Sequence, residues 1–244
     1  MKTGIITGTG KGIGLSSLKL LLNNKYKIIS ITKSKNPVIE NLFKKKNFVK
    51  NIYHTLGENL DSDRKIIKDI CKTYKIDFLV CNAGIRHRDS IKKMDLEKRN
   101  ITLNVNYQSN FVLIQELLRF FSNKKSELSI VYISSIVGNL GFKDLSSYAS
   151  SKMALEGFLK CASIEYAKKN VRINMIAPGF IKTSYHKEFI ASQKKLNKWI
   201  LDRTPMGRWG EPDEVSGVIE FLISKKSSYI TGSTIYVDGG WNSS

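Results

Sequence analysis

Long apolar runs are missing from this chain: none of its stretches approaches the ~18 residues that a bilayer-spanning helix needs. A leader is not expected either, because the first residues enter a strand-like apolar stretch without a basic and then a hydrophobic region. The expectation is a cytoplasmic protein with no membrane contact. Cysteine is scarce. Cys71, Cys81 and Cys161 stand at no metal-ligating spacing and cannot all pair off, so neither a metal site nor a disulfide framework is expected, and the thiols read as reduced and buried. Without secretion the sequon Asn100-Ile-Thr102 carries no meaning. Linkers, repeats and low-complexity tracts are absent too, and 244 residues, 41% of them hydrophobic, suffice for one domain with one sizeable core.

Acidic residues are the remaining shortage, 21 against 40 lysines and arginines, for a formal net charge of +19. The imbalance favours anionic partners such as a phosphate-bearing cofactor or an acidic protein. Most of the excess is lysine, spread along the chain among isoleucines and asparagines, as an A/T-rich coding sequence also produces it. Nucleic acid is not expected as a partner, since charge alone speaks only to non-specific binding.

What is present alternates between strand and helix. Residues 2–7 predict a short buried strand, and Gly8-Thr-Gly10-Lys11-Gly12-Ile13-Gly14 follows it directly, opening a helix with Leu15, Leu18, Leu21 and Leu22 on its apolar face. Glycines at a strand-to-helix turn let the backbone approach a pyrophosphate seated at the positive helix N-terminus. A second strand, 27–31, ends in Thr32-Lys33-Ser34-Lys35, where a carboxylate would ordinarily meet a ribose 2′-hydroxyl. No acid stands there. Lys33, with Lys11 from the glycine turn, instead offers cations to a 2′-phosphate, so NADP(H) is expected over NAD(H), the alternative.

Further on, residues 37–46 predict a short helix, 48–53 a strand, 62–74 a helix, and 78–80 a strand running into Cys81-Asn82-Ala83-Gly84. A small-residue turn at a strand's carboxyl end is where open α/β sheets bind ligands. A long helix is expected over 96–121, punctuated by Asn104, Asn106 and Asn110; a buried asparagine there would bend the helix and hold a water, or simply be satisfied by its surroundings. Strands at 129–134, 171–176 and 234–237 and helices at 148–169 and 212–222 complete the order, with Leu155, Phe158, Leu159 and Ala162 facing the core. Residues 184–211 are polar and dotted with aromatics, lack a helical period, and read as a mobile substrate lid. The fold class is α/β: one doubly wound parallel sheet with helices on both faces.

Tyr148 and Lys152 lie one helical turn apart on a single face, so the ammonium can sit near the phenol and pull its pKa below the ordinary value of about 10. A hydroxyl from Ser135 reaching the same carbonyl or carbinol oxygen would complete an acid/base pocket. Such a pocket suits oxidoreductase chemistry fed by a hydride carrier.

Taken in order, Thr7-Gly8-x-x-x-Gly12-Ile13-Gly14, Asn82-Ala83-Gly84, Asn106, Ser135, Tyr148-x-x-x-Lys152, Asn174-x-x-x-Pro178-Gly179-x-x-x-Thr183 and the tail from Tyr229 to Gly240 resemble the short-chain dehydrogenase/reductase family over nearly the whole chain. The resemblance implies a Rossmann-like fold with Tyr148 as general acid/base and Ser135 orienting the oxygen. It also implies Lys152 binding ribose and lowering the phenol's pKa, and Asn106 holding a proton-relay water. Cofactor contacts are implied for Gly8, Lys11, Gly12, Ile13, Gly14, Lys33, Asn51, Asn82, Ala83, Gly84, Tyr148, Lys152, Pro178, Gly179, Ile181 and Thr183. Asn51 stands where an adenine-contacting Asp is usual, and Cys81-Asn82 where the family doubles the Asn.

Thr204-Pro-Met-Gly-Arg208-x-Gly-Glu-Pro212 is similar to 3-oxoacyl-carrier-protein reductases and to sugar, polyol and secondary-metabolite reductases. Two enzymatic expectations follow, an NADP(H)-dependent reductase of a carrier-bound ketone and one acting on a sugar, nucleotide-sugar or secondary metabolite. A catalytically idle cofactor- or nucleic-acid-binding protein is the non-enzymatic alternative. Arg86, Arg88, Lys182, Lys187 and Arg203 would steer an acidic carrier. Surplus apolar positions around 102–121 and 148–169, together with the resemblance, imply a homodimer or homotetramer.

Overall fold

The computed structural model describes residues 1–121, 126–183 and 190–243. Seven strands, β1 Thr3–Thr7, β2 Lys27–Thr32, β3 Phe48–Tyr53, β4 Phe78–Cys81, β5 Leu128–Ile133, β6 Val171–Pro178 and β7 Thr234–Val237, form one sheet in the order β3-β2-β1-β4-β5-β6-β7. All pairs are parallel. Isoleucine and valine dominate the central strands, as burial on both faces demands. Successive residues alternate between the two cores: Ile5, Leu79, Cys81, Ile130 and Tyr132 face one, and Ile6, Phe78, Val80, Val131 and Ile133 the other.

Helices cover both faces. On one lie α1 Gly12–Asn23, α2 Pro37–Leu42 and a helix over Pro212–Ile223; on the other α3 Leu60–Thr73, α5 Ser109–Phe120 and α7 Ser146–Tyr166. Their starts are written locally. Asn59 caps α3 by accepting from Ser62 N–H at 2.9 Å, with Asp61 and Asp63 in the first turn. Pro212 opens its helix, and Glu211 and Glu214 close a reciprocal capping box.

The expected helix over 96–121 is interrupted. It divides into α4 Leu96–Leu103, one π-helical turn at Asn104–Gln108, and α5. Polar side chains make the break: Asn110 Nδ2 donates to the carbonyls of Val105 and Asn106, and Ser109 Oγ to Val105, drawing acceptors away from the regular ladder. A short helix, α6 Ile136–Leu140, follows β5. The helix over 37–46 is shorter than expected, ending at Leu42.

The region read as an irregular lid is also corrected. Residues 184–189 lie outside the described residues, but Lys194–Arg203 forms α8, so the helix Pro212–Ile223 is α9. Ile200 is wholly buried, and Trp209 joins Phe142, Phe180 and Trp241 in a third cluster over the carboxyl ends of the strands. Ring centroids of Phe180 and Trp199 lie 4.9 and 5.2 Å from that of Trp241. Apolar spacing Leu196, Trp199, Ile200 carries this helix; four lysines around it hide the period. Thiol burial is uneven: Cys81 is buried, but Cys161, beside the core-facing Ala162 of α7, is exposed.

Candidate active site

β1 sends the chain leftward through β2 and β3, whereas β4 to β7 build to the right, so a crevice opens between the ends of β1 and β4. The glycine turn fills its upper edge. Gly8 and Gly12 take φ of +71° and +54°, a region side chains rarely adopt. Gly14 lies beneath: a Cβ there would stand 2.1 Å from the Gly8 carbonyl oxygen. Asn82 locks the turn to β4, its Nδ2 donating to the carbonyls of Thr7 and Gly8, each at 3.0 Å. Thr7 Oγ1 accepts in return from the N–H groups of Asn82 and Ala83, both at 3.0 Å. No side chain caps α1, and its first turn holds no acid, leaving N–H groups directed at an anion.

Two joined cavities run from this turn, of about 1140 and about 500 Å³, sharing Lys11, Asn82, Gly84, Ile85 and Arg86 on their walls. The larger has Gly8, Ala83 and Lys33 on its wall, with Ser34 and Lys35 beside them. The smaller is lined by Gly12, Ile13, Ser135, Tyr148, Lys152, Pro178, Gly179, Ile181 and Thr183. Three of the expected site residues lie off these walls. Gly14 sits behind the turn; Asn51 is inside β3, opposite Ser30, because the strand continues to Tyr53 and brings His54 and Thr55 to the cleft instead. Asn51 Oδ1 is buried there without a hydrogen-bond partner.

Asn106 is the third. Its carboxamide accepts from Ile85 N–H at 2.8 Å and donates to the Ile85 carbonyl and to Ser151 Oγ, both at 2.9 Å. The side chain expected to hold a water thus clamps the loop after β4.

Ser135 follows the end of β5 in an extended conformation and caps α6, accepting from Val137 N–H at 3.2 Å. Its neighbour Ser134 faces elsewhere and donates to Glu156, which Thr234 Oγ1 also approaches at 3.3 Å. Tyr148, in the first turn of α7, is hydrogen-bonded to Ser135. Burial pushes its phenol above the usual value; the Arg86 guanidinium and the Ser135 hydrogen bond pull the other way. Lys152 is 3% exposed, and its Nζ donates to the Ile133 carbonyl at 2.8 Å. Burial lowers its pKa to about 8, with Glu156 and then Cys81 opposing. Arg86 is the cation that pulls the phenol downward, and the Lys152 ammonium lies over the Tyr148 ring, 5.5 Å from its centroid.

Arg86 and Glu156 were not singled out from sequence as members of the catalytic group. Glu156 carries a readable signal, since it follows Lys152 by one helical turn.

A family model described as enoyl-(acyl carrier protein) reductase matches residues 12–242. A 3-oxoacyl-[acyl-carrier-protein] reductase from Rickettsia prowazekii is 34% identical, over 98% of this chain and 96% of that protein. The chain belongs to the short-chain dehydrogenase/reductase family. This family member is also 32% identical to a 2-dehydro-3-deoxy-D-gluconate 5-dehydrogenase from Bacillus subtilis, covering 98% and 94% of the two chains. Among solved structures, a protein from Beutenbergia cavernae assigned as an NAD(P)-dependent gluconate 5-dehydrogenase, with NADP bound at low occupancy, superposes with a TM-score of 0.93 at 26% identity, covering 100% and 97%. The family and its relatives make this an NAD(P)-dependent oxidoreductase acting between CH–OH and C=O groups. No helix among the described residues is long and apolar enough to cross a membrane.

Proposed function

We propose that this protein interconverts a ketone and a secondary alcohol with NADP(H), Tyr148 serving as acid in reduction and as base in oxidation. The observation that carries the reading is the convergence of Ser135, Tyr148 and Lys152 at one end of a cleft whose other end is the glycine turn. An NADP-bound neighbour of the same fold supports the cofactor. Gly8, Gly12, Ile13 and the uncapped start of α1 would hold the pyrophosphate; Lys33 and Lys11 would hold a ribose 2′-phosphate. Asn82, Ala83, Gly84, Pro178, Gly179, Ile181 and Thr183 supply walls for the remainder.

When bound, a dihydronicotinamide supplies a hydride to the carbonyl carbon. The protein supplies position and the proton. Ser135 and Tyr148 would share the carbonyl oxygen, and as the C=O π bond opens the phenolic proton passes to that oxygen. Burial holds the phenol above its ordinary value, so it is protonated at neutral pH and has a proton to give the forming alkoxide. The phenolate left behind is eased by the Ser135 hydrogen bond and the Arg86 field. Lys152, cationic below about pH 8, would bind the adjacent ribose.

The substrate is a small-molecule or carrier-bound carbonyl. A cytoplasmic location and a closed homo-oligomer belong to the same reading; Ile164 on α7 is 80% exposed and Phe120 on α5 40%, apolar surface that a second copy would cover. Consumption of NADPH across a panel of ketones, lost in Tyr148→Phe, is the expected result. Full turnover in that variant overturns the acid.

A further inference from the structure

The loop after β4 is tied down at every second residue. Ile85 exchanges two hydrogen bonds with Asn106, His87 Nδ1 pairs with Thr102 Oγ1 at 2.9 Å, and Asp89 N–H donates to the Asp144 carbonyl at 3.0 Å. The residues between them, Arg86 and Arg88, alternate outward, and both line the smaller cavity with Ser135 and Tyr148. Lys143 stands on the same wall. Phe142, Phe180 and Trp209 of the aromatic cluster line the same cavity.

We infer that the substrate is a small carboxylate-bearing ketone, or the matching hydroxy acid, whose anionic group is held by Arg86 and Arg88 while its carbonyl meets Tyr148. This rests on the ketone reductase reading above and names the substrate class for that site. Size supports it: about 500 Å³ must take a nicotinamide as well as the substrate, which leaves room for a compact molecule. Guanidinium pairs suit carboxylates through their forked donors. A bound anion would also act on the chemistry. Arg86 pulls the Tyr148 phenol downward, so a carboxylate seated on Arg86 offsets that pull and leaves the acid protonated when its substrate is in place.

The test compares 2-, 3- and 4-oxo acids with their neutral methyl esters, following NADPH consumption by the wild type, Arg86→Gln, Arg88→Gln and Arg86→Lys. At least one acid is expected to exceed its ester in kcat/KM by ten-fold or more. That ratio should fall at least ten-fold in Arg86→Gln and partly return in Arg86→Lys. A wild-type ratio near one, or a ratio untouched by both glutamine substitutions, overturns the inference. So does a carrier-bound 3-oxo thioester that outruns every free acid with no loss in Arg86→Gln. If neither acids nor esters consume NADPH, the reductase reading fails separately, and calorimetry of succinate against succinamide on the NADP⁺-loaded protein still decides the anion site. Succinate binding weakened ten-fold by Arg86→Gln supports it; no succinate binding, or equal binding by the variant, overturns it.

Discussion

Lys152 gives its ammonium to the Ile133 carbonyl, 2.8 Å away, and not to the phenol of Tyr148 one helical turn before it. The lysine is therefore anchored to the end of β5, the strand that also delivers Ser135. Strand and helix are registered to each other at the site by this bond, and the phenol is left to Ser135 and the Arg86 field.

Tyr148→Phe keeps the ring and removes the proton. Reduction should slow by about 10² to 10⁴ in kcat, the usual worth of a positioned general acid. NADPH binding, followed by nicotinamide fluorescence, should survive, which separates loss of chemistry from loss of the site.

The lowered Lys152 sets a pH limit. With a pKa of about 8 it is cationic below that value, so NADPH-dependent reduction should decline as pH rises through it. Glu156 raises the lysine's pKa, and removing its charge in Glu156→Gln should move that limb to lower pH. A pH profile of kcat/KM NADPH reads both. An unmoved limb in the variant would detach Glu156 from the site.

Cofactor choice is expected to fall to Lys33, just after β2, and Lys11 in the glycine turn. Charge-assisted hydrogen bonds from Lys33 and Lys11 to a 2′-phosphate, worth roughly 1.5–3 kcal/mol, predict a preference for NADPH over NADH of about ten-fold or more. Lys33→Ala should erase most of it in a fluorescence titration. Equal affinities in the wild type would refute the assignment.

Trp241 fills the centre of the aromatic cluster and is 1% exposed. Trp241→Ala should cost about 3–5 kcal/mol, the usual penalty for such a cavity. Because α8 leans on that ring through Trp199, the loss should appear as faster hydrogen exchange in Lys194–Arg203 and a raised KM for the ketone. Unchanged exchange would show that α8 holds its place without the indole.

Most of the sheet was legible in the sequence, because buried parallel strands leave short, largely apolar stretches between turns of glycine and other small residues. Tyr148, Lys152 and Ser135 were legible because one helical turn and one strand end place them by local geometry. What escaped depends on distant partners. Arg86 looks like any exposed arginine until the clamp from Asn106 shows where its loop is held. Asn51 looked like a cleft residue only through the resemblance, since it stood where the family places an adenine-contacting Asp, although the expected strand over 48–53 already contained it. α8 escaped for another reason: a helix whose apolar stripe faces a small cluster needs few apolar residues, and its lysines dilute the period.

The hydrogen bonds between Thr7 and Asn82 join residues 75 apart. The turn they shape cannot exist until β4 has paired with β1, so nothing that binds it recognises a partly folded chain. Each nucleotide molecule bound there acts on the whole folding equilibrium, adding about 2.7 kcal/mol when present at a hundred times its dissociation constant. A nucleotide held at this turn would thus also lengthen the time each copy of the protein survives unfolding and proteolysis.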